Sequence, residues 1–415
     1  MDSFYDVVVL GAGAAGIGAG RRLAKSGASF LLIEARERIG GRALTIQQSG
    51  HALDLGCGWM HSADKNVLAA IAEAMPAFEV DKTPAPWQRQ SGDQALSGAE
   101  QRAFGEAFAR FEARIDKEAE HGPPVAASAY LEEGGRWSAM INAVFSYISG
   151  AALDCIDARD YARYEDTGVN WRVREGYGAL IAALGDGLPA ELGVEARSVD
   201  CGGPRVRVES ARGAVEARAV IVALPTSCLD ALNLTPAIAD KIDAAHALPL
   251  GAAEKLYFAL AQPEEFPVDG HLFPRFDTED MGSYHLRPMG KPLIEVYFGG
   301  SLARGLAEAG TEAMADYAKQ ELAGILGSAF PARLTTLASS AWSRDPHAMG
   351  AYSYAKPGCA ELRQVLAEPR PPLFFAGEAC SRTRYSTAHG AFETGYTAAE
   401  QALAFLGYEE PSPRA

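Results

Sequence analysis

Apolar positions along this chain fall into two patterns, unbroken and alternating, and each predicts a different kind of strand. The stretch "YDVVVLGAGAAGIGAGRRLAKSGASFLLIEAR", residues 5–36, opens on an unbroken apolar run. It then turns on glycines, continues as an alanine-rich helix and closes on a second apolar run ending at Glu34. Unbroken apolar strands suit a parallel sheet covered on both faces, so this is a β-α-β unit. Alternation marks "GAAEKLYFAL", residues 251–260, where Lys255, Tyr257 and Ala259 share one face and Leu256, Phe258 and Leu260 the other. Taken alone, the lysine belongs on a solvated face, because lysine is seldom buried.

Helical periodicity begins near residue 64 with "NVLAAIAEA", breaks at "KTPAPW", and resumes in "AEQRAFGEAFARFEARIDKEAE" and "SAMINAVFSYISG". Strand character returns in "GVEARSV", "RVRVES" and "GAVEARAVIVALP". The block 251–300 predicts several strands, followed by a helix near "EAMADYAKQELAGIL". The remainder offers "LTTLASSAW", "PLFFAGE" and a helix from about Ala388 to Leu406. Two domains threaded alternately through the chain explain this order better than two domains in series.

Composition changes this picture little: with 415 residues, 48% hydrophobic and 22% charged, the chain is an ordinary globular one of two or three domains. Charge says more. A formal net charge of -15 argues against nucleic acid, whose phosphates need a basic footprint, and mildly favours a cationic small molecule. The six cysteines are scattered, with neither a C-x-x-C pair nor zinc-type spacing, which reads as free thiols in a reducing compartment and no metal site. The first strand starts near the N-terminus, leaving no room for a secretory signal, and no apolar stretch approaches the roughly 18 residues of a membrane span. A cytoplasmic chain with no membrane partner is therefore expected.

Chemistry enters at Gly11, Gly13 and Gly16, a G-x-G-x-x-G directly after a strand and at the mouth of a helix that Ala14 and Ala15 open. The first glycine permits the tight turn, the second lets backbone approach a pyrophosphate, and the third allows close helix packing. Glu34, followed by Ala35, falls where an acid binds a ribose 2′-OH. The fingerprint does not separate FAD from NAD. "EARERIGGR" does: Gly40 and Gly41 allow a second close backbone approach, and Arg36 and Arg42 supply guanidinium groups for a diphosphate, while Arg38 reads as surface charge. This stretch resembles the flavin-dependent amine oxidases, which bind FAD.

The resemblance continues along most of the chain and implies the remaining roles. "LDLGCGWMHS" resembles the segment beside the flavin, which places Gly58 and Trp59 at the cofactor and His61 at the substrate entrance. "WSRDPHAMGAYSY" resembles the stretch with a flavin-facing tryptophan, Trp342, and a substrate-facing tyrosine, Tyr352. "LFFAGEACSRTRYSTAHGAFETG" maps the ribityl-binding acid to Glu378, with Gly377 beside it. The backbone of Thr387 and Ala388 then meets the flavin at a helix N-terminus, which would stabilise negative charge on the reduced ring. Val199 is a further cofactor-binding candidate, and His389 caps or packs. "AAEKLYFAL" resembles the strand whose lysine reaches the flavin through a water, which makes Lys255 catalytic.

Two departures refine the subgroup. Ala351 stands where the monoamine oxidases carry a flavinylated cysteine, so non-covalent FAD is expected. Thr387 stands where they close an aromatic cage, which gives it a substrate-binding role and makes the motifs look more like polyamine and spermine oxidases and lysine-specific histone demethylases. The implied fold is α/β, a Rossmann-type (GR2-like) FAD-binding domain from 1–80, 176–245 and 335–408. A discontinuous α+β substrate-binding domain would take 81–175 and 246–334, with a tail at 409–415.

The implied reaction oxidises a primary or secondary alkyl amine by hydride transfer to the flavin, giving an imine that hydrolyses to aldehyde and amine, while O2 becomes hydrogen peroxide. Glu132, Glu133, Asp160, Glu165 and Asp166 are all candidates for a distal ammonium. An L-amino acid oxidase would instead need an arginine for the α-carboxylate, and Arg172, Arg174, Arg275 and Arg287 are available for it. The same FAD-binding motifs would also serve a desaturase-like flavoprotein or a non-catalytic FAD scaffold.

Overall fold

The structure, a computed structural model, describes residues 4–84 and 96–408. Its larger sheet collects the unbroken apolar runs. Phe4–Leu10 lies between Phe30–Ile33 and Gly213–Val222, parallel to both, with Val7 beside Phe30 on one side and Ala219 on the other. Leu373–Phe375 joins in parallel against Val220–Val222. Ala196–Asp200 and Val206–Ser210 extend the sheet as an antiparallel flap. The helices Ala14–Leu23 and Ala388–Leu406 cover one face, where Val7, Val9, Ala15, Ala19 and Ala399 are buried together. This is the Rossmann-type α/β layout, and it brings the N-terminal and C-terminal helices of the chain side by side.

The smaller sheet has five antiparallel strands in the order Gly270–Leu272, Ser283–Leu286, Leu293–Gly299, Ala253–Leu260 and Leu334–Ser339. One face is apolar: Leu256, Phe258, Val296 and Phe298 pack under the helices Gly300–Ala309 and Thr311–Leu326. The first of these helices carries no mark in the sequence reading. Leu334–Ser339 pairs with the lysine strand, so the expected boundary at 334/335 cuts a strand, and the chain leaves this sheet only after Ser339.

Helices Gly98–Glu118, Ser138–Ser149 and Ala158–Ala162 form the insert, built on a core of Phe104, Phe111, Trp137 and Phe145 that closes onto Phe273 and Met281. Ser97 starts the first helix in a reciprocal capping box with Glu100. Gly150, at φ 70°, ends the second in the left-handed conformation that favours glycine. Residues 85–87 of the "KTPAPW" break and the tail 409–415 lie outside the described residues. No helix among the described residues is long and apolar enough to cross a membrane.

Candidate active site

The two glycine motifs meet. Gly40 donates its N–H to the Ala12 carbonyl at 2.8 Å, and a Cβ on Gly41 would lie 3.0 Å from the Gly13 Cα. Gly13 is the N-cap of the helix Ala14–Leu23 and has no side chain to occupy the space before it. A Cβ on Gly16 would fall 1.9 Å from the Gly11 carbonyl oxygen, so the turn tolerates nothing larger. Glu34, buried at the end of its strand, accepts from the N–H of Ala12 at 2.8 Å and of Arg36 at 2.9 Å. Each of its oxygens retains a lone pair for a hydroxyl. Arg36 pairs with Asp345 at 2.6 Å. Arg38 is not the bare surface charge its neighbourhood suggests: it donates to the carbonyls of Ile39 at 3.1 Å and Gly41 at 2.9 Å, and so braces the second glycine turn.

Glu378 is the hub of the next cluster. It accepts from Arg42 Nη1 at 2.9 Å, the Ser353 hydroxyl at 2.6 Å and the Ser386 N–H at 2.9 Å. Burial pushes its pKa up, but Arg42, Ser353 and Arg363 outweigh burial and hold it below the ordinary range. Gly377, Glu378 and Arg42 line a narrow crevice with Leu224, Pro225 and Thr226. Two abutting glycine turns, an uncapped helix N-terminus, a buried acid one strand away and an arginine-lined crevice together fit a dinucleotide, and FAD fits this donor set.

Val199 belongs to none of this. Its backbone lies in ladders on both sides, opposite Val208 and Leu234, and its side chain is in the apolar core. The residue that reaches the Glu34 strand end is Val194, whose N–H donates to the Glu34 carbonyl at 2.8 Å. Thr387 is likewise corrected as a substrate contact. Its hydroxyl is committed to the cap of the helix Ala388–Leu406, accepting from the Gly390 N–H at 3.0 Å and donating to the Arg384 carbonyl at 2.6 Å. Ala388 is the first residue of that helix, and His389 is buried, with its pKa lowered to about 3, chiefly by burial.

Lys255 is buried, not solvated. The face it shares with Tyr257 turns toward the Rossmann-type domain, and its Nζ lies 3.0 Å from Glu295 Oε1 and 4.8 Å from the Tyr297 ring centre. A Cβ on Gly58 would sit 2.9 Å from that nitrogen, so glycine is what lets the ammonium reach this backbone. Burial opposes the charge on Lys255, but Tyr297, Glu295 and Asp54 outweigh it, and the group is held protonated above the ordinary lysine range. Asp54 accepts from the N–H groups of Tyr177 and Gly178 at the start of the helix Tyr177–Gly185, yet burial still raises its pKa. Trp59 stacks on His285 and lies under Arg172.

Next to Lys255 in the chain, Glu254 is fully buried. It accepts from the N–H groups of Trp342 and Ser343 and the hydroxyls of Ser340 and Ser343, and thereby fixes Trp342, whose indole N–H donates to the Leu55 carbonyl at 2.8 Å. Tyr352 donates its hydroxyl to the Tyr147 carbonyl in the helical insert. The Nδ1–H of His61 donates to Asn170 Oδ1 at 2.7 Å, and burial lowers the His61 pKa, opposed by Asp166 and Asn170. Sequence reading missed Glu254, Glu295 and Asp54. A charged residue beside Lys255 was the only local signal for the first, and nothing local marks the other two.

The acids proposed for a distal ammonium separate sharply. Asp160 is committed to Arg363 through two bonds of 2.7 and 2.8 Å, both side chains essentially fully buried. Glu165 lies 3.5 Å from Arg384. Glu132 and Glu133 are exposed beyond the insert's short helical turn, and of the five only Asp166 acts on His61. The arginines proposed for an α-carboxylate are engaged as well. Arg172 pairs with Asp81 and Asp269, Arg174 with Glu79, and Arg275 with Asp277, while Arg287 donates to the Phe266 carbonyl.

The family model described as flavin containing amine oxidoreductase matches residues 90–403, and one described as an NAD(P)-binding Rossmann-like domain matches residues 9–74. The chain belongs to the flavin-containing amine oxidoreductases and is an FAD-dependent enzyme of that class acting on a small-molecule amine. Among its relatives, polyamine oxidase 2 of Arabidopsis thaliana is 28% identical over 95% of this chain and 87% of its own length. Lysine-specific histone demethylase 2 of Homo sapiens is 25% identical over 96% of this chain and 53% of its own. In fold, the chain is similar to a solved putrescine oxidase bound to putrescine, with a TM-score of 0.79 at 18% identity, over 97% of this chain and all of that one.

Proposed function

We propose that this enzyme oxidises a polyamine-like primary or secondary alkyl amine, with O2 as acceptor and FAD held non-covalently. The observation that carries the reading is the buried Lys255 ammonium pressed against Gly58, where a fixed positive charge faces the segment that the family resemblance would put beside the flavin. When bound, FAD supplies the two-electron chemistry: it takes the electrons of the amine α-C–H bond and passes them to O2, with imine hydrolysis giving aldehyde and amine, and hydrogen peroxide as the second product. Gly11, Gly13, Gly16, Glu34, Arg36, Gly40, Gly41, Arg42 and Glu378 hold the cofactor. Trp342 and Tyr352 form two sides of the amine's slot, each tied to neighbouring backbone, so that the slot is fixed before substrate arrives. Lys255 holds its proton and presents a fixed charge to the electrons that arrive beside it. Ala351 has no side chain able to form a flavin thioether, which supports non-covalent binding.

The engaged arginines disfavour an α-carboxylate, and therefore an amino acid oxidase. The decisive experiment is anaerobic bleaching of the protein-bound flavin by polyamines, N-alkylated amines, arylalkylamines and amino acids in turn, followed by admission of air. Polyamines or N-alkylated amines should bleach the flavin, and air should restore its colour. Bleaching by amino acids alone, or by nothing in an FAD-loaded protein, would refute the reading.

A further inference from the structure

On the domain-facing side of the five-stranded sheet, register places Tyr257, Glu295, His285 and His271 in one row across four strands, with Lys255 diagonal to Glu295. The other face of the same strands is apolar. The row is continuous in space. Glu295 Oε1 meets Lys255 Nζ at 3.0 Å and accepts from the hydroxyls of Tyr257 at 2.5 Å and Tyr297 at 2.9 Å. Glu295 Oε2 lies 3.5 Å from His285 Nδ1, whose Nε2 is 3.0 Å from Asp269. Asp269 binds Arg172 at 2.6 Å, and Arg172 binds Asp81 at 2.8 Å. Every charged member is buried. Buried ion pairs seldom stabilise a fold beyond what apolar packing would achieve in the same volume, so thermodynamic stability does not account for this row. A lysine that must keep both its place and its proton does.

We propose that Glu295 is the positioning residue for Lys255, anchoring its ammonium beside Gly58, and that His285, backed by Asp269 and Arg172, in turn fixes Glu295. The assignment rests on the role of Lys255 given above. The groups facing Lys255 are Glu295 and Tyr297 from the next strand, Asp54 and Cys57 from the segment beside Gly58, and Tyr352. Among these, Glu295 is the carboxylate in direct contact with the ammonium.

Amine acylation of Lys255, followed against pH in the folded FAD-loaded protein by peptide mass spectrometry, tests the charge directly and needs no substrate. Glu295→Gln should raise its acylation at pH 9 about tenfold, one unit of lost pKa, while Glu295→Asp leaves it near wild type. Glu295→Gln should also slow, by about tenfold or more, whichever flavin half-reaction Lys255→Met slows, and add nothing in the Lys255→Met background. If Glu295→Gln fails to fold, His285→Asn is read the same way, with a smaller shift of the same sign. Unchanged acylation, or effects of the two substitutions that multiply, would overturn the proposal. A shift in acylation in a protein whose flavin no amine bleaches would retain it and reject the amine oxidase reading instead.

Discussion

At the scale of single residues, the strongest prediction concerns an unmatched charge. Lys255→Met removes the cation and leaves Glu295 buried without it, so the variant should lose on the order of 3 kcal/mol in stability and slow turnover by about 10²-fold. Adding Glu295→Leu should return much of the stability and none of the activity; denaturant unfolding and flavin kinetics on both variants check this. Gly58→Ala makes a companion case. Its methyl would stand 2.9 Å from the ammonium, so Lys255 must withdraw, and a loss of about tenfold in turnover with FAD still bound is expected. Full activity in Gly58→Ala would mean that the ammonium does not work from this position. The alternating run alone put Lys255 on a solvated face, and only the resemblance of "AAEKLYFAL" to the family's lysine strand marked it as functional. Its partners were not legible, because Glu295 and Asp54 reach it through cross-strand register and domain packing, neither of which is written in local spacing.

At the scale of elements, the cofactor turn depends on how two helices far apart in sequence fit together. A Cβ on Gly395 would lie 1.8 Å from the Ala15 carbonyl oxygen, and one on Gly18 would lie 2.2 Å from that of Phe392. The helices Ala14–Leu23 and Ala388–Leu406 thus touch through backbone. Gly395→Ala must push them apart, at a cost of about 2 kcal/mol or more, and should weaken FAD retention along with stability. FAD released on desalting, measured beside the unfolding midpoint, tests it; tight FAD in a destabilised variant would uncouple packing from the site. The helix from Ala388 was legible from its apolar pattern. The role of Thr387 was misread because a cap and a substrate contact look the same in sequence: both ask for a small hydroxyl before a helix. Val199 was misplaced: it lies within the strand Ala196–Asp200, and it is Val194, five residues earlier, that meets Glu34.

At the scale of the whole molecule, two buried histidines, one on each domain, act in one direction. His271 in the smaller sheet and His389 beside the cofactor helix both fall from 6.5 to about 3, burial being the main cause in each. Between those values the unfolded chain binds a proton that the folded one refuses, so their contribution is complete above about pH 6.5 and is lost as pH falls toward 3. Glu295 and Asp269 are held below their ordinary ranges against burial, Glu295 chiefly by Lys255 and Asp269 by His285 and Arg172, so their contribution too is present above the unfolded pKa and lost in acid. The contribution of these four groups should therefore be level above about pH 7 and fall steeply below 6, by up to about 1.4 kcal/mol per pH unit for each histidine. His271 offers the cleaner test, because it contacts Ser283 at 2.7 Å and lies outside the cofactor turn. His271→Gln should flatten the slope of unfolding free energy against pH between 6 and 4 by as much as one such increment. An unchanged slope would place the acid sensitivity in His389 or the carboxylates instead, and Glu295→Gln should reveal the carboxylate share below pH 4.5.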